Sequence, residues 1–375
     1  MQPKINLTDI PLKKEIIDKI RSRGGEIYLV GGAVRDLLLG FSPRDFDFLV
    51  LGLSTKEFQQ LFPQSELVGK NFSVILLAGF DFIIQKELDL NQELLRRDYS
   101  INALAVHLAE GKIIDPAGGL NDLSQKKLRP LAGSLKKDPV RIYRGLRLIC
   151  QLSTPQEKFQ LTKKAVQKIK KAKHMLGACE TERIFQELCY VLNTDYPQYF
   201  FQLLQEYQLL NIHFVELNLL STPEFEQLIK LLAQLKEKKF SEEQSFVILV
   251  HQLKENQVSD LCQRLDLPVS WQKTADLFVR RQKQATVWPE MKSCQLLELI
   301  YQLDRFSLTI KEFEELLKMI YPQKYIVGLA KLAEKMYSEV TADQVSEKLT
   351  GPEFGARLFS LRCSWLDQKL KNSDI

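Results

Sequence analysis

The chain has 375 residues, 45% of them apolar and 26% charged, which excludes a disordered or low-complexity polymer and allows two or three domains with real cores. A net charge of +5 suits a polyanionic partner without singling one out. Six scattered cysteines without a Cys-x-x-Cys, and four unclustered histidines, argue against a zinc site and for free thiols in a reducing compartment. With no apolar secretory stretch at the start and no run of membrane-spanning length, a cytoplasmic protein with no membrane partner is expected.

In chain order, residues 11–23 read as an amphipathic helix with Leu12, Ile16, Ile17 and Ile20 on one face. Ile27 to Val30 is a short apolar run that suits a buried strand. Gly31-Gly32 lets the backbone turn tightly and approach a ligand, and residues 33–39 read as a short helix ended by Gly40. Free backbone N–H groups at this turn suit phosphate oxygens, and Arg35 is expected to add a positive charge on that side. Residues 45–50 return as a strand, so Asp45 and Asp47 share one face while Phe46 and Phe48 point into the core. Two carboxylates one strand step apart can share a divalent metal. An ordinary strand–turn–helix with a surface Asp pair is the bland alternative, and the Gly-Gly context argues against it.

Residues 54–61 read as a helix capped by Ser54 or Thr55. Residues 72–77 and 80–84 read as two strands joined at Ala78-Gly79. Asp81, in the second, is a candidate third carboxylate, because a two-metal site needs more oxygen ligands than two side chains supply; a plain strand-end aspartate is the alternative. The stretch 85–95 has no Gly or Pro, and its leucines predict a packed turn of helix. Residues 96–106 start polar and are expected to become helical, with Arg97, Asp98 and Asn102 near one end. Asp115-Pro116 and Gly118-Gly119 are turn chemistry, and the polar stretch 126–136 reads as a linker.

Asp138-Pro139 opens a helix, with Asp138 as its expected N-cap. Arg141, Arg144 and Arg147 recur every three residues and share a face. Capping and a solvated stripe would explain these residues. Yet Asp138 and Arg141 can together address one base edge: Asp accepts from the exocyclic amine of cytosine or adenine, and Arg donates to the ring acceptors. No uracil or guanine edge offers that pattern. The six lysines within 163–173 suit a phosphate track or a solvated face. From residue 190 onward only helical stripes appear, such as Leu228, Leu231, Leu232 and Leu235, with breaks near Pro223, Pro268, Pro289, Pro322 and Gly351.

Gly-Gly-Ala-Val-Arg-Asp followed by Asp45-x-Asp47 resembles the DNA polymerase β superfamily of nucleotidyltransferases, in the branch that holds bacterial tRNA nucleotidyltransferases and poly(A) polymerases. Arg96-Arg-Asp-Tyr-Ser-Ile-Asn-Ala103 is similar to that family's ribose-recognising motif. Asp115-Pro-Ala-Gly-Gly119 is similar to its connecting segment, read as structural, and Asp138-Pro-Val-Arg141 to its base-reading motif. Lys137 stands where the family motif has Glu, which leaves the Asp–Arg pair intact. Glu182, Arg183 and Glu187 resemble a family helix that supports the base reader. The likeness is specific over 27–190 and weak beyond.

The resemblance implies an α+β chain: a nucleotidyltransferase head with a mixed, mostly antiparallel sheet (1–125), a base-recognition neck (126–190), and an all-helical body and tail that bind tRNA (191–375). It implies Mg2+ on Asp45 and Asp47, with Asp81 as a third catalytic carboxylate. Gly31, Gly32 and Arg35 would bind phosphate, and Arg97, Asp98 and Asn102 the ribose. Asp138, Arg141, Arg144 and Arg147 would read the base. The implied substrates are the tRNA 3′ end and CTP, with ATP as a further candidate. Complete CCA-adding members carry a long flexible loop between the third head strand and the Arg-Arg-Asp motif, and the short 85–95 connector resembles members that add CC and leave the terminal A to a separate enzyme. Complete CCA addition, poly(A) synthesis, small-molecule nucleotidyl transfer and non-catalytic RNA binding are the alternatives.

Overall fold

The computed structural model describes residues 5–68, 74–87, 89–238, 240–305, 308–323, 328–345 and 349–371. Backbone contacts divide the chain into two compact units, 1–179 and 180–375.

The first unit is built on a sheet that is seven-stranded among the described residues, ordered β3-β4-β5-β2-β1-β6-β7. Its strands are β1 (Glu26–Val30), β2 (Asp47–Leu51), β3 (Glu66–Val68), β4 (Val74–Leu77), β5 (Phe80–Gln85), β6 (Ala105–His107) and β7 (Ile113–Ile114). Every pairing is antiparallel except β2 with β5, in keeping with the mostly antiparallel head expected. Helices α1 (Lys14–Ser22), α2 (Gly32–Leu38) and α3 (Thr55–Leu61) fall where the sequence puts them. Ser54 and Glu57 cap α3 reciprocally. On one sheet face Phe58 of α3 packs on Phe82, which stacks on Phe48. On the other, Tyr28, Val30, Leu49 and Ala105 form a core with Leu94 and Leu131. The hairpin at Ala78-Gly79 has both residues at positive φ, 55° and 84°, the backbone a two-residue hairpin turn demands.

The connector behaves as its leucines predict: α4 (Leu90–Leu95) is capped by Asp89 and buries Leu94 completely. Phe72 and Leu88, parts of the strand and connector readings, lie outside the described residues.

Two expectations are corrected. Residues 96–106 are not a helix. They form a single 3-10 turn, Ser100–Asn102, and then strand β6, whose Val106 pairs with Leu29. Nor is 126–136 a loose linker. After α5 (Gly119–Ser124), strand β8 (Lys127–Leu128) pairs in parallel with β9 (Gln160–Leu161), and Leu128, Leu131 and Leu135 are buried. Helices α6 (Ser134–Lys137), α7 (Arg141–Leu152) and α8 (Lys163–Ala172) complete the unit. In α8, Ala165, Ile169 and Ala172 face inward while Lys163, Lys164, Lys168, Lys170 and Lys171 are exposed.

The second unit is helical throughout its described residues, from Thr181–Leu192 to Gly351–Lys371. The leucine stripe at 228, 231, 232 and 235 is buried, and Glu242–Val250 is buried on nearly every side. Pro268 precedes the helix Val269–Ala285, and Gly351 opens the last one. No described helix is long and apolar enough to cross a membrane.

This unit buries His251, whose Nδ1 lies 2.7 Å from the carbonyl of Ile248. Burial pushes its pKa down from 6.5 to about 4. Between those values the unfolded chain binds a proton that the folded chain refuses, so stability falls as pH drops through this window and is complete above it. The loss from His251 amounts to about 3 kcal/mol by pH 4. Buried His213, also lowered to about 4 by burial and by Arg264, adds a loss of the same sign. Urea titrations at pH 7 and pH 5 check this. His251→Gln should flatten the pH slope, and an unchanged slope would show that His251 does not carry it.

Candidate active site

The site grows from the β1–α2 turn. Gly31 has φ +80°, and a Cβ there would lie 2.4 Å from Nη1 of Arg97. Only glycine permits both the backbone angle and the close approach. The N–H of Gly31 is itself taken by the carbonyl of Leu104 (3.1 Å), so this residue supplies shape, and the backbone donors left at the turn begin with Gly32.

Val30 at the end of β1 pairs with Asp47 at the start of β2, and Asp47 pairs in parallel with Asp81 of β5. This register puts the turn and two carboxylates at one end of the sheet. Asp45 lies just before β2 and is exposed; Phe46 is half-buried against the edge of Phe80, and Phe48 is buried. Burial pushes the Asp47 carboxyl above the usual range; Arg97 draws it down, and Asp81 and Asp45 push it up. Asp45 and Asp81 both lie near enough to act on the charge of Asp47.

One half-buried carboxylate, Asp47, and two exposed ones, Asp45 and Asp81, offer hard oxygen donors of the kind a hard divalent cation takes. Among the described residues, no three His, Cys, Asp or Glu side chains already converge as a closed cage.

Beside the carboxylates runs the segment 97–102. Burial pulls the Arg97 guanidinium below its usual range, while Glu93, Asp47 and Asp98 push it back up. Asp98 is buried; its Oδ1 accepts from the N–H of Tyr99 (2.7 Å) and from Nδ2 of Asn102 (3.0 Å). Asn102 Oδ1 accepts from Nη1 of Arg35 (2.7 Å). Arg35 is therefore not on the phosphate side as expected. It is 4% exposed and bound to Asp36 (2.6 Å), so it supports Asn102 from within. Arg97, lying over Gly31 and beside Asp47, is the cation at the turn.

The neck helix closes the other side. Asp138 faces Arg141, with Oδ2 and Nε 3.5 Å apart. Val140, not Asp138, is the N-cap of α7, and it makes no side-chain capping bond. Arg141 Nη1 donates to the carbonyls of Arg96 and Arg97 (3.2 Å each), and Arg144 lies 3.6 Å from Asp98. Arg147 instead reaches along its own helix to Gln151 (3.1 Å). The structure thus ties Arg141 and Arg144 to segment 96–102, with Asp138 beside Arg141.

Two residues at this junction escape the sequence reading. Tyr99 is fully buried and donates from its hydroxyl to the carbonyl of Arg141 (2.8 Å). Gly145 of α7 lies against the same ring. A glycine inside a helix costs about 1 kcal/mol relative to alanine, which signals a close approach but not its partner.

Comparison with known proteins fits this geometry. The family described as "Poly A polymerase head domain" matches residues 27–81 and 78–129, and the one described as "Probable RNA and SrmB-binding site of polymerase A" matches residues 158–220. The multifunctional CCA protein of Haemophilus ducreyi is 34% identical over 219 residues, 52% of this chain and 51% of that protein. The CCA-adding enzyme of Coxiella burnetii is 34% identical over 217 residues, 52% of this chain and 56% of that protein. This chain thus spans about half the length of the curated relatives it matches. The fold is that of the Thermotoga maritima CCA-adding enzyme solved in complex with tRNA, with a TM-score of 0.72 at 20% identity, covering 96% of this chain and 94% of that one. A solved tRNA-processing enzyme in an apo form gives a TM-score of 0.67 at 22% identity, covering 95% and 99%. Residues 27–129 thus carry the likeness to the poly(A) polymerase head domain, and residues 158–220 the likeness to its RNA-binding segment.

Proposed function

We propose that this chain is a template-independent nucleotidyltransferase that adds cytidylate residues to the 3′ end of tRNA in the cytoplasm. The observation that carries the reading is the carboxylate group Asp45, Asp47 and Asp81 at the Gly31-Gly32 turn, in one frame with the facing pair Asp138–Arg141. Catalysis is assigned to 1–125, base choice to 126–190 and the grip on tRNA to 191–375. The exposed lysines of α8 suit a phosphate track.

In the reaction, the RNA 3′-hydroxyl oxygen bonds to the α-phosphorus of the nucleotide, the bond to the β-phosphate bridge breaks, and pyrophosphate leaves. Asp45 and Asp47 would hold Mg2+, which when bound supplies charge for the attacking and leaving oxygens, and Asp81 stands beside them as the third catalytic carboxylate. Gly32 and Arg97 meet the triphosphate at the turn. Asp98 and Asn102, fixed by Arg35, address the ribose, and Asp138 and Arg141 address the base edge. The nucleotide is held at three points before the hydroxyl arrives, which lowers the barrier by prior orientation.

The finer reading is that addition stops after two cytidines. It rests on the connector between β5 and the ribose segment, which is short, capped at Asp89 and packed into the core through Leu94. Such a connector gives the base pocket no lever with which to change from cytosine to adenine geometry. A second reading, complete CCA addition, is favoured by the matched relatives, which are named CCA-adding or multifunctional CCA proteins.

One experiment separates them. A tRNA transcript ending at the discriminator base is supplied with CTP and ATP, and the product is sized. Growth by two residues is expected. Growth by three would replace CC addition with CCA addition, and a long tail with ATP alone would make the chain a poly(A) polymerase. No growth at all would leave an RNA-binding protein without this activity.

A further inference from the structure

The ribose segment and the base-reading helix are tied together by contacts that no substrate-binding role explains. Tyr99 is the centre of them. A Cβ placed on Gly145 would lie 1.9 Å from the Tyr99 hydroxyl oxygen and 2.4 Å from its Cζ. The phenol therefore touches the α7 backbone, where any side chain larger than hydrogen would push it off. Its hydroxyl donates to the carbonyl of Arg141, and the Arg141 side chain donates to the carbonyls of Arg96 and Arg97. Arg141 is thus held to this segment through both backbone and side chain.

The segment itself cannot slide. The carbonyl of Asp98 accepts from the N–H of Leu131 (3.0 Å) and the hydroxyl of Ser134 (2.9 Å), and the N–H of Ser100 donates to Arg129 (3.0 Å). On the opposite side Gly119 repeats the device, since a Cβ there would lie 2.2 Å from the carbonyl oxygen of Ser100. The Ser100 hydroxyl donates to Asp122 (2.5 Å), which is paired with Arg129. Residues 98–100 are fixed between two glycines, one on α5 and one on α7.

A bound nucleotide has its own fixed offset between sugar and base edge, set by the glycosidic bond. Asp98 and Asn102 can hold the sugar while Asp138 and Arg141 read the base only if the protein keeps the same offset. An error of about 1 Å takes hydrogen bonds out of good geometry. We infer that Tyr99 and Gly145 are positioning residues that set nucleotide selectivity by fixing the base-reading helix against the ribose segment. This rests on the proposed nucleotidyl-transfer reading and extends it to residues that touch neither base nor sugar.

The test is the ratio of equilibrium affinities for CTP and UTP, measured by calorimetry with Mg2+ on the full chain, alongside the melting temperature. Gly145→Ala should lower the ratio by roughly tenfold or more, the scale of a good bidentate base contact. Tyr99→Phe keeps the ring and loses the hydroxyl's bond to Arg141, so it should lower the ratio a few-fold in a folded protein, and it decides the matter if Gly145→Ala does not fold. Leu152→Ala, buried at the far end of α7 and two turns from Gly145, should lower the melting temperature and leave the ratio alone. An unchanged ratio in Tyr99→Phe, an equal shift in all three variants, or a wild type that binds both nucleotides alike would overturn the inference. A wild type that prefers CTP yet extends no RNA would sink the proposed activity and leave this inference standing.

Discussion

Asp47→Ala or Asp45→Ala should reduce nucleotide incorporation by ~10²–10³-fold or more, the scale seen when a group that stabilises transition-state charge is removed. Retention of RNA should hardly change, because these carboxylates repel phosphates and add nothing to RNA affinity. The stability outcome distinguishes the two positions. Asp45 is exposed, so its loss should stay within about 0.5 kcal/mol. Asp47 is held above the usual carboxylate range by burial and by its two acidic neighbours, with Arg97 opposing. An acid whose folded pKa is raised is destabilising when ionised, so at neutral pH the fold carries a cost at Asp47. Asp47→Asn, which keeps the volume and removes the charge, should be inactive with a melting temperature equal to or above that of the wild type. Extension assays and thermal melts read both effects. Wild-type turnover in either alanine variant would remove the catalytic assignment.

The same residue shows what sequence makes legible. Asp45-x-Asp47 after a Gly-Gly turn is local; the strand expected over 45–50 starts only at Asp47, with Asp45 just before it. Asp138 and Arg141 are likewise local, three residues apart, and they do face each other. The helical remainder follows from period and from its breaks, whereas the mostly antiparallel head is what the family resemblance implies.

Misreadings arise where the deciding contact is distant. Ile101, Leu104 and Ala105 have helical spacing, but the whole stretch 99–106 is buried or nearly so. Periodicity cannot sort a fully buried segment, and pairing with β1 makes its end a strand. The stretch 126–136 looks polar by count, yet three leucines and a pairing with β9 anchor it. Strand β3 is short, at the sheet edge and exposed, so it carries no alternation to find. Arg35 turns inward because Asn102, 67 residues later, meets it there. Tyr99 and Gly145 meet across a similar gap in the chain. A mid-helix glycine is the one local hint, and it names no partner.

Base choice should fail differently at the two residues of the reading pair. Arg141→Ala removes the donor to the ring acceptors and also the bonds to the carbonyls of Arg96 and Arg97. It should therefore weaken CTP use as well as relax discrimination among the four nucleotides. Asp138→Ala removes the acceptor for the exocyclic amine and leaves those backbone ties in place, so discrimination should fall with less loss of total incorporation. Each lost edge contact is worth about 1–3 kcal/mol, or roughly 5- to 150-fold in relative kcat/KM for CTP against UTP. Arg147→Ala should cost less selectivity than Arg141→Ala, because Arg147 bonds Gln151 on its own helix while Arg141 ties to the carbonyls of Arg96 and Arg97. Arg144→Ala should fall between, since Arg144 lies 3.6 Å from Asp98 and acts on the ribose side. Competing incorporation of CTP and UTP into one RNA primer ranks the four variants. If Asp138→Ala and Arg141→Ala both keep full preference for their natural nucleotide, the facing pair holds the neck together and does not read the base.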